Sequence, residues 1–139
     1  MELPDTQLRY LYAIYELSKK APEVRSSTVA DRMRVTRPSV ARMLAILAER
    51  ELIVKKRYGK ISLTEKGLRL VRDFDRNVGF LEGRLPRLGF PLTEKEAHEV
   101  AYLLAAALPE RVWRARAGTD GDEGNRFASR ERSGGTDGK

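Results

Sequence analysis

The stretch from Thr36 to Glu51, TRPSVARMLAILAERE, constrains the fold more than any other part of the chain. Thr36 has the hydroxyl that caps a helix N-terminus, and Pro38 falls in the first turn, where its missing N–H is no loss. Val40, Met43, Leu44 and Leu47 then recur at the spacing of one buried helical stripe. At about 100° per residue, Pro38, Ala41, Arg42 and Ala45 fall on or beside the opposite face. Two alanines flanking an arginine leave that face slim and basic, narrow enough for a major groove about 12 Å wide. An ordinary surface helix more often carries long mixed charges there.

Ahead of this helix, Val29-Ala30-Asp31-Arg32-Met33 reads as a helix too short to stand alone, with Ser26-Ser27-Thr28 as cap candidates. Arg34-Val35 makes the turn between the two. A short helix, a tight turn and a second helix capped by threonine are the sequence form of a helix-turn-helix. Further upstream, Asp5 or Thr6 can cap a first helix that runs to about Lys20 and ends at Ala21-Pro22. Leu8, Leu11, Tyr12 and Tyr15 share one of its faces, and Ile14 and Leu17 add more apolar surface, so it is expected to pack on both sides.

After Leu52 the period changes. Ile53 to Arg57 and Lys60 to Leu63 read as two short strands around Tyr58-Gly59, where glycine supplies the turn. Such a hairpin behind a reading helix is a wing. Lys55, Lys56, Arg57 and Lys60 crowd its tip, interleaved by the Tyr58 ring. Edge strands also carry lysine merely to block aggregation, but the position behind the reading helix favours phosphate or minor-groove contact.

Thr64 is the predicted cap of a long helix on which Val71, Phe74, Val78, Leu81 and Leu85 are spaced as a heptad seam. Gly79 and Gly83 weaken that helix but let a second backbone approach, so a second subunit is the expected partner; a seam closed by the last helix of the same chain is the alternative. Thr93-Glu94-Lys95-Glu96 is a capping box for that last helix, with Ala97, Val100, Ala101, Leu104 and Leu108 on its apolar face. Pro109 to Arg116 reads as a short amphipathic end. From Gly118 onward six glycines accompany Ser, Asp and Arg, and disorder is expected there. The reading is therefore mainly α, in three parts: a winged helix-turn-helix DNA-binding domain over 1–72, a helical dimerisation domain over 73–117 and a disordered tail over 118–139.

Charge follows the same division. Residues 1–72 carry 16 Lys/Arg against 8 Asp/Glu, residues 73–117 carry 7 against 7, and the whole chain has a formal net charge of +7. The asymmetry points to a polyanionic partner for the first part. There is no cysteine, which excludes disulfides, thiol catalysis and Cys-based zinc sites. No apolar run approaches the ~20 residues that span a bilayer, and residues 1–20 lack a signal-peptide layout, so no membrane partner and a cytoplasmic location are expected.

YLYAIYEL (10–17), VADRMRVTRPSVARML (29–44) and GKISLTEKG (59–67), followed by a long helix, resemble the metal-dependent repressors of the diphtheria-toxin-repressor and manganese-transport-regulator type. The resemblance covers roughly residues 5–108 and leaves no room for the third domain of longer members. It implies that Thr36, Pro38, Ser39 and Arg42 lie where members touch DNA, with Arg37 on the same turn. It also implies that Ser27 or Thr28 bonds a phosphate at the start of the preceding helix. Arg42 is the candidate for direct base reading, since arginine is the usual bidentate partner of guanine.

The family's cation site, which uses Mn²⁺ or Fe²⁺, does not carry over by that resemblance. Its positions fall on Arg9 and Tyr12 in the first helix, Asn77 in the long helix, and His98, Ala101 and Tyr102 in the last. A register two residues back gives Glu96, Glu99 and Val100, still without the family's histidine. Such ions want several carboxylate and imidazole ligands, so no metal is expected; His98 pairing with Glu94 is the remaining local arrangement. Arg9, Tyr12, Asn77 and Tyr102 are expected either to form a hydrogen-bonded network that holds the active geometry permanently, or to line a pocket for a small anionic effector.

The chain thus reads as a homodimeric transcription regulator on a near-palindromic duplex, with no catalytic constellation and not an enzyme. The alternatives are a repressor answering to a metal or small ligand through some other site, and a winged-helix module for protein contact.

Overall fold

The computed structural model describes residues 3–118. The first helix, α1 (Asp5–Lys20), is the hub: Leu8 and every residue from Tyr10 to Tyr15 are buried. A helix covered on both sides has no polar stripe to spare, and each large apolar side chain so buried is worth about 1.5–3 kcal/mol. Its start differs from expectation. Pro4 is the N-cap with no side-chain bond, and Asp5 opens the first turn, where its charge suits the positive end of the dipole.

A two-residue strand, β1 (Val24–Arg25), follows, then α2 (Ser26–Met33) and α3 (Arg37–Glu49). The serines and threonine read as caps lie inside the first turn of α2. Arg34 takes the left-handed conformation that ends α2 (φ 55°, ψ 47°), and its N–H and that of Val35 return to Asp31 and Ala30. In α3, Val40, Leu44 and Leu47 are buried and Met43 half-buried, as the stripe predicts.

The wing is β2 (Ile53–Lys55) and β3 (Lys60–Leu63), antiparallel in the register Ile53↔Leu63, Val54↔Ser62, Lys55↔Ile61. β1 pairs with the other edge of β3, through Val24↔Ile61 and Arg25↔Lys60, so the order is β1-β3-β2. The tip, Arg57–Gly59, is a single 3₁₀ turn in which Tyr58 and Gly59 both have positive φ (62° and 70°), which shortens the first strand relative to expectation.

α4 (Glu65–Arg84) is capped by Thr64, whose Oγ accepts from the Gly67 N–H at 3.0 Å. Gly67 is required by packing: a Cβ there would lie 2.0 Å from the Leu52 carbonyl oxygen. A 3₁₀ turn (Leu85–Leu88) leads to α5 (Glu94–Ala107), which opens with the expected capping box of Thr93 and Glu96. A last helix, α6, covers 110–118. The expected disorder from 118 onward falls almost wholly on 119–139, which lie outside the described residues; Gly118 itself ends α6.

One expectation is corrected here. The seam Val71, Phe74, Val78 and Leu85 is buried inside this chain, with exposures of 0, 2, 1 and 5%. It is closed by α1 and α5: Phe74 meets Tyr12 and Tyr102 edge-on, at 5.5 and 5.2 Å between ring centroids. A stripe already covered in one chain is not free to be a subunit contact, and only Leu81 of the five remains half-buried. On the helical part after the wing, the large apolar side chains left exposed are Leu88, Phe90, Leu103 and Leu104.

Candidate nucleic-acid interface and the polar junction behind it

On α3 the face opposite the core is open. Arg37, Pro38, Ala41, Arg42 and Ala45 are all exposed, and Ser39 is half-buried. The Thr36 Oγ accepts from the Ser39 N–H at 3.3 Å, and the two hydroxyls are 2.8 Å apart. Thr36 and Ser39 therefore form one local unit that sets the angle at which the helix starts. α2 begins without a side-chain cap, so N–H groups of its first turn, beside Ser27 and Thr28, keep the capacity to bind an anion.

The wing, whose first strand packs against α3, carries exposed cations toward its tip. Lys55, Lys56, Arg57 and Tyr58 are exposed, Tyr58 by 85%. A Cβ on Gly59 would come 3.0 Å from Ser26 Oγ, so the tip lies close to the start of α2. Lys60 differs from its neighbours: its Nζ is drawn 2.8 Å from Glu23. Sequence reasoning missed Glu23 and Arg25, because a two-residue strand has no period to detect.

Behind this surface α1, α4 and α5 meet in a polar junction. The Tyr12 hydroxyl donates to Asp75 at 2.7 Å; Tyr15 and Lys19 reach the other carboxylate oxygen at 3.4 and 3.2 Å. Burial, with Asp75 adding to it, pushes the Tyr12 phenol far above its ordinary range, so Tyr12 stays a donor. Burial likewise pushes Tyr102 up to about 12 against the opposing charge of Arg9. Arg9 lies 3.9 Å over the Tyr102 ring and donates to Glu99 at 3.1 and 3.3 Å. His98 stacks on Tyr12 and sits between two carboxylates: Nδ1 is 3.0 Å from Glu82 and Nε2 is 3.4 Å from Glu16. Glu16 in turn accepts from Arg32 of α2 at 3.3 Å, which links the junction to the helix-turn-helix.

Of the residues expected to meet here, Arg9, Tyr12, His98 and Tyr102 do, with Ala101 buried on the same helix. Asn77 does not. It lines a separate groove of about 690 Å³ with Leu8, Phe74, Ala106 and Trp113, because its place on α4 points away from α1's aromatic face. The pairing of His98 with Glu94 is also replaced, by Glu82 and Glu16. The acids that matter, Glu16, Asp75 and Glu82, went unassigned from sequence, although Asp75 and Glu82 are seven apart on one helix and so share a face.

These side chains do not fit the cation of the family resemblance. A guanidinium, two phenols, an amide, an alanine and one imidazole stand at the matching positions, and the carboxylates beside His98 address opposite ring nitrogens instead of converging. Among the described residues no three His, Cys, Asp or Glu side chains are grouped to hold an ion. Nor, among them, is any helix long and apolar enough to cross a membrane.

Residues 2–61 match the family described as iron dependent repressor, N-terminal DNA binding domain. No curated protein matches the chain. Among solved structures, the manganese regulator SloR is 28% identical over 78% of this chain and 49% of its own, with a TM-score of 0.61. ScaR, in a structure with bound Zn²⁺, is 30% identical over 84% of this chain and 54% of its own, with a TM-score of 0.64. IdeR of T. acidophilum shares the fold at a TM-score of 0.68, covering 87% of this chain and 55% of its own, but only 21% of the sequence. The chain spans about half the length of these relatives. Over residues 2–61 the chain thus matches the N-terminal DNA-binding domain of iron dependent repressors, and over some four fifths of its length its fold is similar to that of these metal-dependent regulators.

Proposed function

We propose that this chain is a sequence-specific DNA-binding transcription regulator, not an enzyme, that acts in the cytoplasm as a homodimer on a near-palindromic operator. The observation that carries the reading is the exposed, narrow face of α3 set beside the exposed cations of the wing. Arg42 reads a base edge; Arg37, Lys55, Lys56 and Arg57 meet phosphates, with Tyr58 against the sugar edge of the groove. Residues 1–72 form the DNA-binding part and 73–117 the part that pairs subunits. Since the α4 seam is filled, the second copy covers Leu103 and Leu104 on α5 together with Leu88 and Phe90, which are 52, 38, 65 and 60% exposed. Patches of that kind mark contact surfaces.

Control by Mn²⁺ or Fe²⁺ through the family's positions is lost in this reading. The network of Arg9, Tyr12, Asp75 and Tyr102 holds the geometry without an ion, supported by the Tyr12–Asp75 hydrogen bond and by the Arg9 guanidinium over the Tyr102 ring. The groove beside Asn77 favours a second reading in which a small ligand modulates the repressor: its lining combines apolar side chains with Lys66, Arg69, Arg76 and Arg114 and with the acids Asp5, Asp73 and Glu110.

Selection of bound duplexes from a random pool, with and without chelator, tests the whole. A single enriched near-palindrome, unchanged by chelator, is the expected result. On that duplex Arg42→Ala should weaken binding by ~1–3 kcal/mol and relax base preference, while Lys56→Ala weakens all sequences alike. Equal losses from Arg42→Ala on selected and scrambled duplex would remove its reading role, and no enrichment at low salt would leave a protein-contact module.

A further inference from the structure

The least expected charge on the DNA-facing side is an acid. Glu23, in the turn before β1, is exposed, yet its two oxygens address two different cations: Oε1 is 2.8 Å from Lys60 Nζ and Oε2 is 4.0 Å from Arg25. The sheet holds those cations side by side, because Arg25 and Lys60 are register partners across β1 and β3. Lys56 belongs to the same group, its N–H bonded to the Lys60 carbonyl at 2.8 Å. Lys60, then Arg25 and Lys56, hold the Glu23 carboxyl below the usual carboxylate range.

One anion with an oxygen for each of two fixed cations is the arrangement that the two free oxygens of a phosphodiester would make. We infer that Arg25 and Lys60, with Lys56, form a phosphate subsite at the base of the wing, and that the Glu23 carboxylate occupies it as a stand-in until DNA displaces it. The inference rests on the DNA-binding reading above and adds to it a contact residue, Arg25, and an internal competitor. Surface pairs of this kind contribute little to folding, so the function of Glu23 lies in the exchange. It keeps Lys60 of the wing and Arg25 of β1 paired in the free protein and repels phosphates from the site until the wing seats. Lys60 then trades one anion for another.

The test is a double-mutant cycle on a duplex of scrambled sequence, read over a range of salt. E23Q should tighten binding roughly three- to ten-fold at low salt and steepen the log–log salt slope by about 0.9, one more phosphate neutralised. R25A should weaken wild-type binding. In the K60A background the E23Q gain should shrink to near nothing, because the competitor has lost what it competes for. A gain of the same size in the K60A background would reduce Glu23 to a general repelling charge and overturn the subsite. So would a loss of affinity in E23Q, the signature of a carboxylate that merely orders the wing; melting curves of each variant separate that case from misfolding. If wild type itself binds no duplex and Lys56→Ala changes nothing, the DNA reading fails first and the subsite with it.

Discussion

The Tyr12 hydroxyl donates to Asp75 across 2.7 Å, tying the hub helix α1 to α4 at the position where the family resemblance would put a metal-binding carboxylate. The bond joins a neutral donor to a charge and is partly buried, the class worth about 1.5–3 kcal/mol. Tyr12→Phe is therefore expected to lower unfolding stability by about that amount in urea titration. Asp75→Ala should cost more, since Tyr15 and Lys19 lose the same acceptor. A Tyr12→Phe protein that unfolds at the wild-type midpoint would show that the network holds nothing.

Gly67 and Gly79 lie on one helix but face different surroundings. A Cβ at 67 would sit 2.0 Å from the Leu52 carbonyl oxygen, whereas at 79 nothing lies within 4 Å. Gly67→Ala must push the start of α4 off the loop after α3, and a loss of at least ~1–3 kcal/mol is expected. Gly79→Ala should instead stabilise by up to ~1 kcal/mol through helix propensity. Thermal melts of the two variants check the pair. A destabilised Gly79→Ala would mean that another surface, such as a second subunit, closes on that face.

Most of the fold was legible because it rests on local period and caps. Thr36, Thr64 and Thr93 each cap the helix that the sequence assigns to it. What was not legible depends on which face meets which. Val71, Phe74 and Val78 at heptad spacing look the same whether a second subunit or the chain's own helices cover them, and the rings of Tyr12 on α1 and Tyr102 on α5 meet Phe74 within the chain. Asn77 lies two residues, about 200° round the helix, from Asp75, which is the residue that reaches the junction. β1 is two residues long and becomes a strand only because β3 offers it an edge. The cations expected on the wing are exposed, apart from the half-buried Lys60, but the acid paired with it, Glu23, is brought there by a sheet register that no sequence period announces.

His98 gives the chain a pH-dependent contribution to stability. Burial alone would lower its pKa, but the hydrogen bond to Glu82 and the charges of Glu16 and Glu82 outweigh it and raise the value above 6.5. A group whose folded-state pKa is raised stabilises fully below its unfolded value and loses that contribution as pH rises through the folded value. The melting temperature should therefore fall by a few degrees from pH 6 to pH 9, and His98→Gln should flatten that part of the profile. A steeper fall in His98→Gln than in wild type would reverse the sign and sink the assignment. Because Glu16 also holds Arg32 of α2, the same titration should be visible in the chemical shifts of the helix-turn-helix.

Tyr58 combines two features that folding alone disfavours. Its backbone is left-handed at φ 62°, ψ 33°, and its ring is 85% exposed, with no core contact in return. For an L-residue other than glycine that conformation costs roughly 1–2 kcal/mol, and glycine adopts it almost freely. Tyr58→Gly should accordingly leave the melting temperature unchanged or raise it, within ~1 kcal/mol, because the gain from relieved strain is partly offset by the added freedom of the unfolded chain. If the ring is presented to DNA, the same variant should bind the selected duplex more weakly while its salt slope stays put, since no charge has been removed. A more stable protein that binds less tightly is the expected pair of outcomes. Unchanged duplex affinity would leave the strained, exposed ring without a role at the interface, and a lower melting temperature would show that the ring packs where the wing meets the body.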